Sequence, residues 1–266
     1  MKLFHVVLCF IFSVSISTAQ SFQGKAVYLS KTKVDFDFGG RKIPEDQKQR
    51  MLKRLEEQSQ KSFILYFDKT ASIYEEEVVL EGPDGNKRGA MFAAIFGGPG
   101  AGRYYKNIVD KESKRAVEFF GKNFLVEDTL QMYPWTLEKE TKKIGKYTCF
   151  KATTFVDKKQ NPFSINKDTL QTKTKLTVWY TPEIPVSLGP ASYWGLPGLI
   201  LSVNGGETQI LCTQVVLNLK EKEDIKAPKS GKKVTEEEFQ ALVVEKTKEL
   251  RERFKKGHGG GKKRKG

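Results

Sequence analysis

The stretch from Trp179 to Leu201, WYTPEIPVSLGPASYWGLPGLIL, carries four of the chain's ten prolines, three glycines and two of its three tryptophans. Each proline fixes φ and removes an amide donor, so after Tyr180 the chain must leave any sheet ladder. Gly189 and Pro190 make a bend. Leu196 to Leu199 reads as a type II turn, with Pro197 at the second position and Gly198 supplying positive φ at the third. Yet Tyr193, Trp194, Leu196, Leu199, Ile200 and Leu201 are too apolar for a solvated loop. A segment that cannot be regular and must still be buried has to fold back over a sheet or line a groove. The rest of the chain must supply that sheet.

Strand signals recur along it about every ten residues, separated by polar turns. They cover Phe22 to Phe38 (one or two strands), Phe63 to Tyr74 with a turn at Asp68 and Lys69, Tyr104 to Val109, Arg115 to Phe120 and Asn123 to Val126. A hairpin follows from Trp135 to Val156 around Gly145, then Leu176 to Tyr180, and a last hairpin turns across Asn204, Gly205 and Gly206. Such spacing leaves no room for crossover helices, so an antiparallel meander is expected. Asp157 to Lys173 reads as a polar loop. A helix opens at Pro44 with acidic residues in its first turn, but its apolar positions are only Met51, Leu52 and Leu55, which places it on a surface.

Two segments invite functional readings that fail on detail. Ala90 to Arg103 runs into four glycines, but Arg103 and Tyr104 stand where a phosphate loop needs Lys and then Ser or Thr. A surface loop or flap is expected there. Glu75, Glu76 and Glu77 are adjacent on a strand and point to alternate faces, so they do not converge on a cation.

The N-terminus has Lys2, an apolar run to Ile16 and the small residues Ser17, Thr18 and Ala19, the pattern of an export leader cleaved after Ala19. That leaves a β domain from 20 to 219, a linker and amphipathic helix from 220 to 256, and a disordered basic tail from 257 to 266. Thr235 and Glu238 form a capping-box signature, and Phe239, Leu242, Val243, Leu250 and Phe254 recur at helical spacing behind it. Cys149 and Cys212 remain after the leader; they either form a disulfide or stay as buried thiols on neighbouring strands. Of the net charge of +14, +7 lies between Arg251 and Gly266, so the body is only mildly basic and nucleic acid is not implied.

The run WYTPEIP, then GP, then Gly195, Leu196, Pro197, Gly198, Leu199 and Ile200, preceded by WTLEKETKKIGKYTCFKA, resembles the GLPGLI family of exported Bacteroidetes proteins, also called the Porphyromonas gingivalis family. The likeness spans Phe22 to Leu219. It implies a location in the periplasm, at the outer membrane or outside the cell, and a mainly β (α+β) fold with one curved, half-barrel-like antiparallel sheet under a few helices. It brings no catalytic residues. The strand order also resembles that of periplasmic lipoprotein carriers, whose curved sheet wraps an apolar groove.

Beyond the leader the one histidine is His258, in the tail, which removes Ser-His-Asp, Cys-His and His-metal chemistry from the body. No enzyme activity, cofactor or metal is expected. Two readings stay open. In the first, the sheet holds an apolar ligand or lipid, with Trp135, Trp179, Tyr180, Glu183, Tyr193 and Trp194 lining or gating it. In the second, the chain is an envelope accessory factor with an outer-membrane protein partner, its basic tail resting on an anionic membrane surface. A filled core under Tyr193 to Leu201 favours the second, and an apolar cavity there favours the first.

Overall fold

A computed structural model describes residues 22–32, 44–58, 60–77, 102–157, 173–206 and 208–259. Among the described residues twelve strands form one sheet: β1 (Gly24–Thr32), β2 (Gln60–Phe67), β3 (Ala71–Glu76), β4 (Arg103–Asn107), β5 (Glu112–Phe119), β6 (Lys122–Thr129), β7 (Thr136–Ile144), β8 (Tyr147–Asp157), β9 (Lys173–Thr181), β10 (Leu199–Gly205), β11 (Thr208–Leu217) and β12 (Lys232–Val234). Their order is β12-β6-β5-β4-β3-β2-β1-β11-β10-β9-β8-β7. Two meanders therefore lie side by side, joined where β1 pairs with β11. All pairs are antiparallel except β12, which adds parallel to β6. This makes the sheet mixed, a departure from the all-antiparallel expectation, because residues read as linker supply an edge strand.

The connection from β6 to β7 fixes the curvature. These strands are ten steps apart in the sheet order, which would separate them by about 48 Å if the sheet were flat. Only residues 130–135 join them, and that length reaches at most about 25 Å. The sheet must curl until its two wings approach, as the half-barrel expectation requires.

The concave face holds the main core. Ala26 and Tyr28 of β1, Phe63, Leu65 and Phe67 of β2, and Tyr74 of β3 alternate inward. The Tyr28 hydroxyl donates to the Ile200 carbonyl at 2.8 Å, tying β1 to β10. At the far wing a second cluster joins Val117, Phe119, Phe124 and Val126 to Val234 and Phe239. Phe239 lies in the helix α2 (Glu236–Gly259). Its ring meets those of Phe119 and Phe124 at 5.6 and 5.7 Å. Arg115 stacks over it at 4.9 Å while donating to Glu236 at 2.8 Å. The capping box closes as expected: the Thr235 amide donates to Glu238 at 2.8 Å, and the Glu238 amide to Thr235 Oγ1 at 3.1 Å. The helix runs through Gly259, three residues into the segment expected to be disordered. The other helix, α1 (Glu45–Gln58), exposes Met51, in keeping with a surface position.

The turn at Asp68 is present, its Oδ1 accepting from the Thr70 and Ala71 amides, both at 2.7 Å. Glu75, Glu76 and Glu77 diverge to Arg103, Lys61 and Ser62 respectively. Cys149 and Cys212 are buried free thiols. They are not paired, and they do not sit on neighbouring strands either, since β9 and β10 intervene between β8 and β11. The leader, residues 33–38 of the first strand signal, the glycine-rich run up to Ala101, nearly all of the 157–173 loop and residues 260–266 lie outside the described residues.

Candidate functional site

Between β9 and β10, residues 182–198 cross the concave face as an irregular strap. Leu188 and Trp194 pair as an isolated bridge, closing a five-residue tip, 189–193. The strap is stitched to β10 by the Leu199 amide on Ile184 O and the Ile200 amide on Leu188 O, both 3.0 Å. Ile184, Leu188 and Leu196 are fully buried against β10 and the central strands. Each such side chain contributes about 1.5–3 kcal/mol by leaving water, so the strap is part of the core and not a loose lid.

The turn inside the strap differs from the sequence expectation. Gly198 has φ 159°, not the value near 80° of a type II turn, and its amide donates to Leu196 O at 2.8 Å. Because the Leu199 amide is committed to Ile184, the chain leaves the turn nearly extended and enters β10 directly. Glycine is needed at 198 for space: a Cβ there would sit 2.2 Å from the Thr181 carbonyl oxygen. The left-handed conformation falls instead at Gly195, with φ 91°.

Three of the aromatic residues singled out in the sequence meet at the tip. Trp135 Nε1 donates to the Trp194 carbonyl at 2.8 Å, and Trp194 Nε1 donates to the Gln131 carbonyl at 2.7 Å. Tyr193 packs 5.7 Å from Tyr133, whose hydroxyl bonds Ser192 at 2.9 Å. The short β6 to β7 connection thereby grips the strap tip at the mouth of the curled sheet. Burial pushes the Tyr193 and Tyr133 hydroxyls above their ordinary values, so both remain neutral donors.

The other three residues lie elsewhere. Trp179 and Tyr180 are buried on β9, Trp179 with Lys142 Nζ 4.2 Å from its ring centre and Tyr180 beside Phe150. Glu183 is exposed and accepts from the Thr148 amide at 2.7 Å, tying the strap's start to β8. Every polar atom of the three tip aromatics for which a bond is described faces backbone or a neighbouring side chain. A separate surface depression, lined by Asp110, Lys111, Glu112, Asp128 and Thr129, is polar and includes no strap residue.

Sequence reasoning missed the residue that holds the tip. Lys106 on β4 is fully buried, and its Nζ donates to the carbonyls of Gly189, Ala191 and Tyr193 at 2.6, 2.6 and 2.9 Å. Three converging acceptors match the three protons of an ammonium. Burial opposes this charge and pushes the amine well below the ordinary lysine value. Lys106 stands six strands from β9 in the sheet order, so the latch spans the curl. The alternation of Tyr104, Tyr105 and Lys106 reveals only that the lysine shares a face with Tyr104; nothing in it marks that face as interior.

A family model described as "Protein of unknown function (Porph_ging)" matches residues 135–202. This is narrower than the likeness read from Phe22 to Leu219, but it contains the whole strap and Trp135. No curated protein matches. Two solved structures, "Structure of PNGF-II in C2 space group" and "Structure of PNGF-II in P21 space group", are similar at 16% identity and a TM-score of 0.49. The alignments cover 84% and 85% of this chain and 32% and 33% of those chains, so this chain spans about a third of their length.

Proposed function

We infer that the protein is a non-catalytic accessory module of the cell envelope that acts by contact with a partner and does not carry an apolar cargo. The supporting observation is the filled core under the strap. Ile184, Leu188, Leu196 and Leu199 occupy the concave face that a carrier would leave open, and each is at most 1% exposed. The unbroken run Gly195 to Ile200 supports a GLPGLI-type identity, and the leader pattern supports export. The partner is an outer-membrane protein, with the basic residues after Arg251 adding a salt-sensitive attraction to anionic lipid.

Native mass spectrometry of protein gently extracted from its own envelope tests this reading. The expected spectrum holds bare monomer and a complex with a second protein. A stoichiometric acyl lipid on the monomer would restore the carrier reading.

A further inference from the structure

Lys106 differs from the other poorly exposed cations of the fold. Arg115 has Glu236, Lys151 has Glu138 and Glu140, and Lys114 has Glu112 and Glu127. Lys106 has only backbone dipoles, and among the described residues no carboxylate pairs with it. Buried charges are ordinarily matched by a counter-charge. Two further donors lie next to it on β3. Ser72 is its direct register partner, and Tyr74 follows two residues later on the same concave face. Both side chains are almost wholly buried, and among the described residues neither Ser72 Oγ nor Tyr74 OH has a hydrogen-bond partner. The Tyr74 hydroxyl also lies in electrostatic reach of the Tyr193 hydroxyl.

One short loop thus closes over an ammonium whose neighbouring strand carries two buried hydroxyls on the same face. Its closure rests on the Leu188–Trp194 bridge, the Tyr133–Ser192 bond and Lys106 itself. Ala191 in that loop is held at φ 46°, a left-handed conformation that alanine resists. The tip therefore stores strain, although Gly189, Pro190 and Ala191 are buried like the strap on either side.

We propose that the floor beneath the strap tip, closed over in this structure, is a concealed receptor for a carboxylate. When residues 189–193 lift, Lys106 exchanges three carbonyl acceptors for the carboxylate oxygens, and Ser72 and Tyr74 donate to the same group. The exchange neutralises the buried charge and satisfies both hydroxyls. The anchors at Leu199 and Ile184 need not move. A free short acid and the head of an acyl chain share this chemistry. The receptor does not rest on the contact function inferred above: a short acid leaves that function standing, whereas an acyl acid would restore the carrier reading.

The test is a titration of the full mature chain with acetate and with octanoate, against chloride at matched ionic strength, followed by NMR of the Lys106 ammonium and the backbone amides from Ala191 to Trp194. Saturable shifts at both places, with chloride inert, are expected. Ser72→Ala and Tyr74→Phe should each weaken binding about tenfold, the loss of one hydrogen bond to a charged group, while leaving the unliganded spectrum of the core unchanged. Octanoate binding tighter than acetate identifies an acyl acid, and equal binding a short one. The absence of saturable shifts with either acid at millimolar concentration overturns the proposal. So do shifts that persist undiminished in both hydroxyl variants, whether or not Lys106→Met folds.

Discussion

Replacing Lys106 by methionine keeps the apolar stem and removes the three donors that fix the strap tip. Hydrogen bonds to a charged group contribute about 1.5–3 kcal/mol each, so the gross loss over the three bonds is roughly 5–9 kcal/mol. Against this, the variant no longer has to dehydrate an ammonium, a cost of several kcal/mol. The net destabilisation should be about 2–4 kcal/mol, with three strap carbonyls deprived of the ammonium. The chain's three tryptophans, Trp135, Trp179 and Trp194, lie in or beside the strap, so urea unfolding followed by tryptophan fluorescence reports this region directly. The effect also has a pH signature. Burial depresses the folded amine below its unfolded value of 10.5, so between those two values the unfolded chain binds more protons. The Lys106 contribution to stability then rises with pH across that window, fully gained at its upper end, and the margin of wild type over Lys106→Met widens there. A variant within about 0.5 kcal/mol of wild type, with a margin indifferent to pH, would refute the latch.

Gly198→Ala places a Cβ against the Thr181 backbone and should cost about 3 kcal/mol, measured by denaturant midpoint; an unperturbed midpoint would show that the strap can shift. Thr235→Ala removes the cap of α2 and should cost about 1 kcal/mol, with protection lost first at Phe239 in hydrogen exchange. Burial pushes the Cys149 thiol up to about 11 and the Cys212 thiol up to about 12. Thiolate is therefore scarce at neutral pH, and iodoacetamide should label neither residue until the protein unfolds. Labelling of the native protein at the rate of an exposed thiol, read by mass spectrometry, would contradict their burial.

Most strands were legible in the sequence because their signals are local. The strand signals within Phe22 to Phe38 and Phe63 to Tyr74, the Asp68 turn, the Gly145 hairpin and the Thr235 capping box each act over a few residues. The strap was legible too, since four prolines within an apolar run admit few other structures. What remained hidden depends on residues distant in sequence. The partnership of Lys106 with Gly189, Ala191 and Tyr193 crosses more than eighty positions, and a lysine in an alternating strand looks the same whether its face meets water or a strap. The type II turn failed for a similar reason: Leu199 is drawn to Ile184, and that tertiary bond overrides the local preference of Pro197 and Gly198. The parallel β12 was invisible because three residues, Lys232 to Val234, carry too little periodicity to announce a strand.

The strap belongs to the core. Hydrogen exchange at the amides of Leu199 and Ile200, which carry the two bonds to the strap, tests it most directly. Both should exchange only through global unfolding, at the same free energy as the amides of β1 and β2, even where the tip at 189–193 opens sooner. Exchange of Leu199 and Ile200 at the rate of a surface loop, while β1 and β2 stay protected, would make the strap a lid and contradict the filled-core reading.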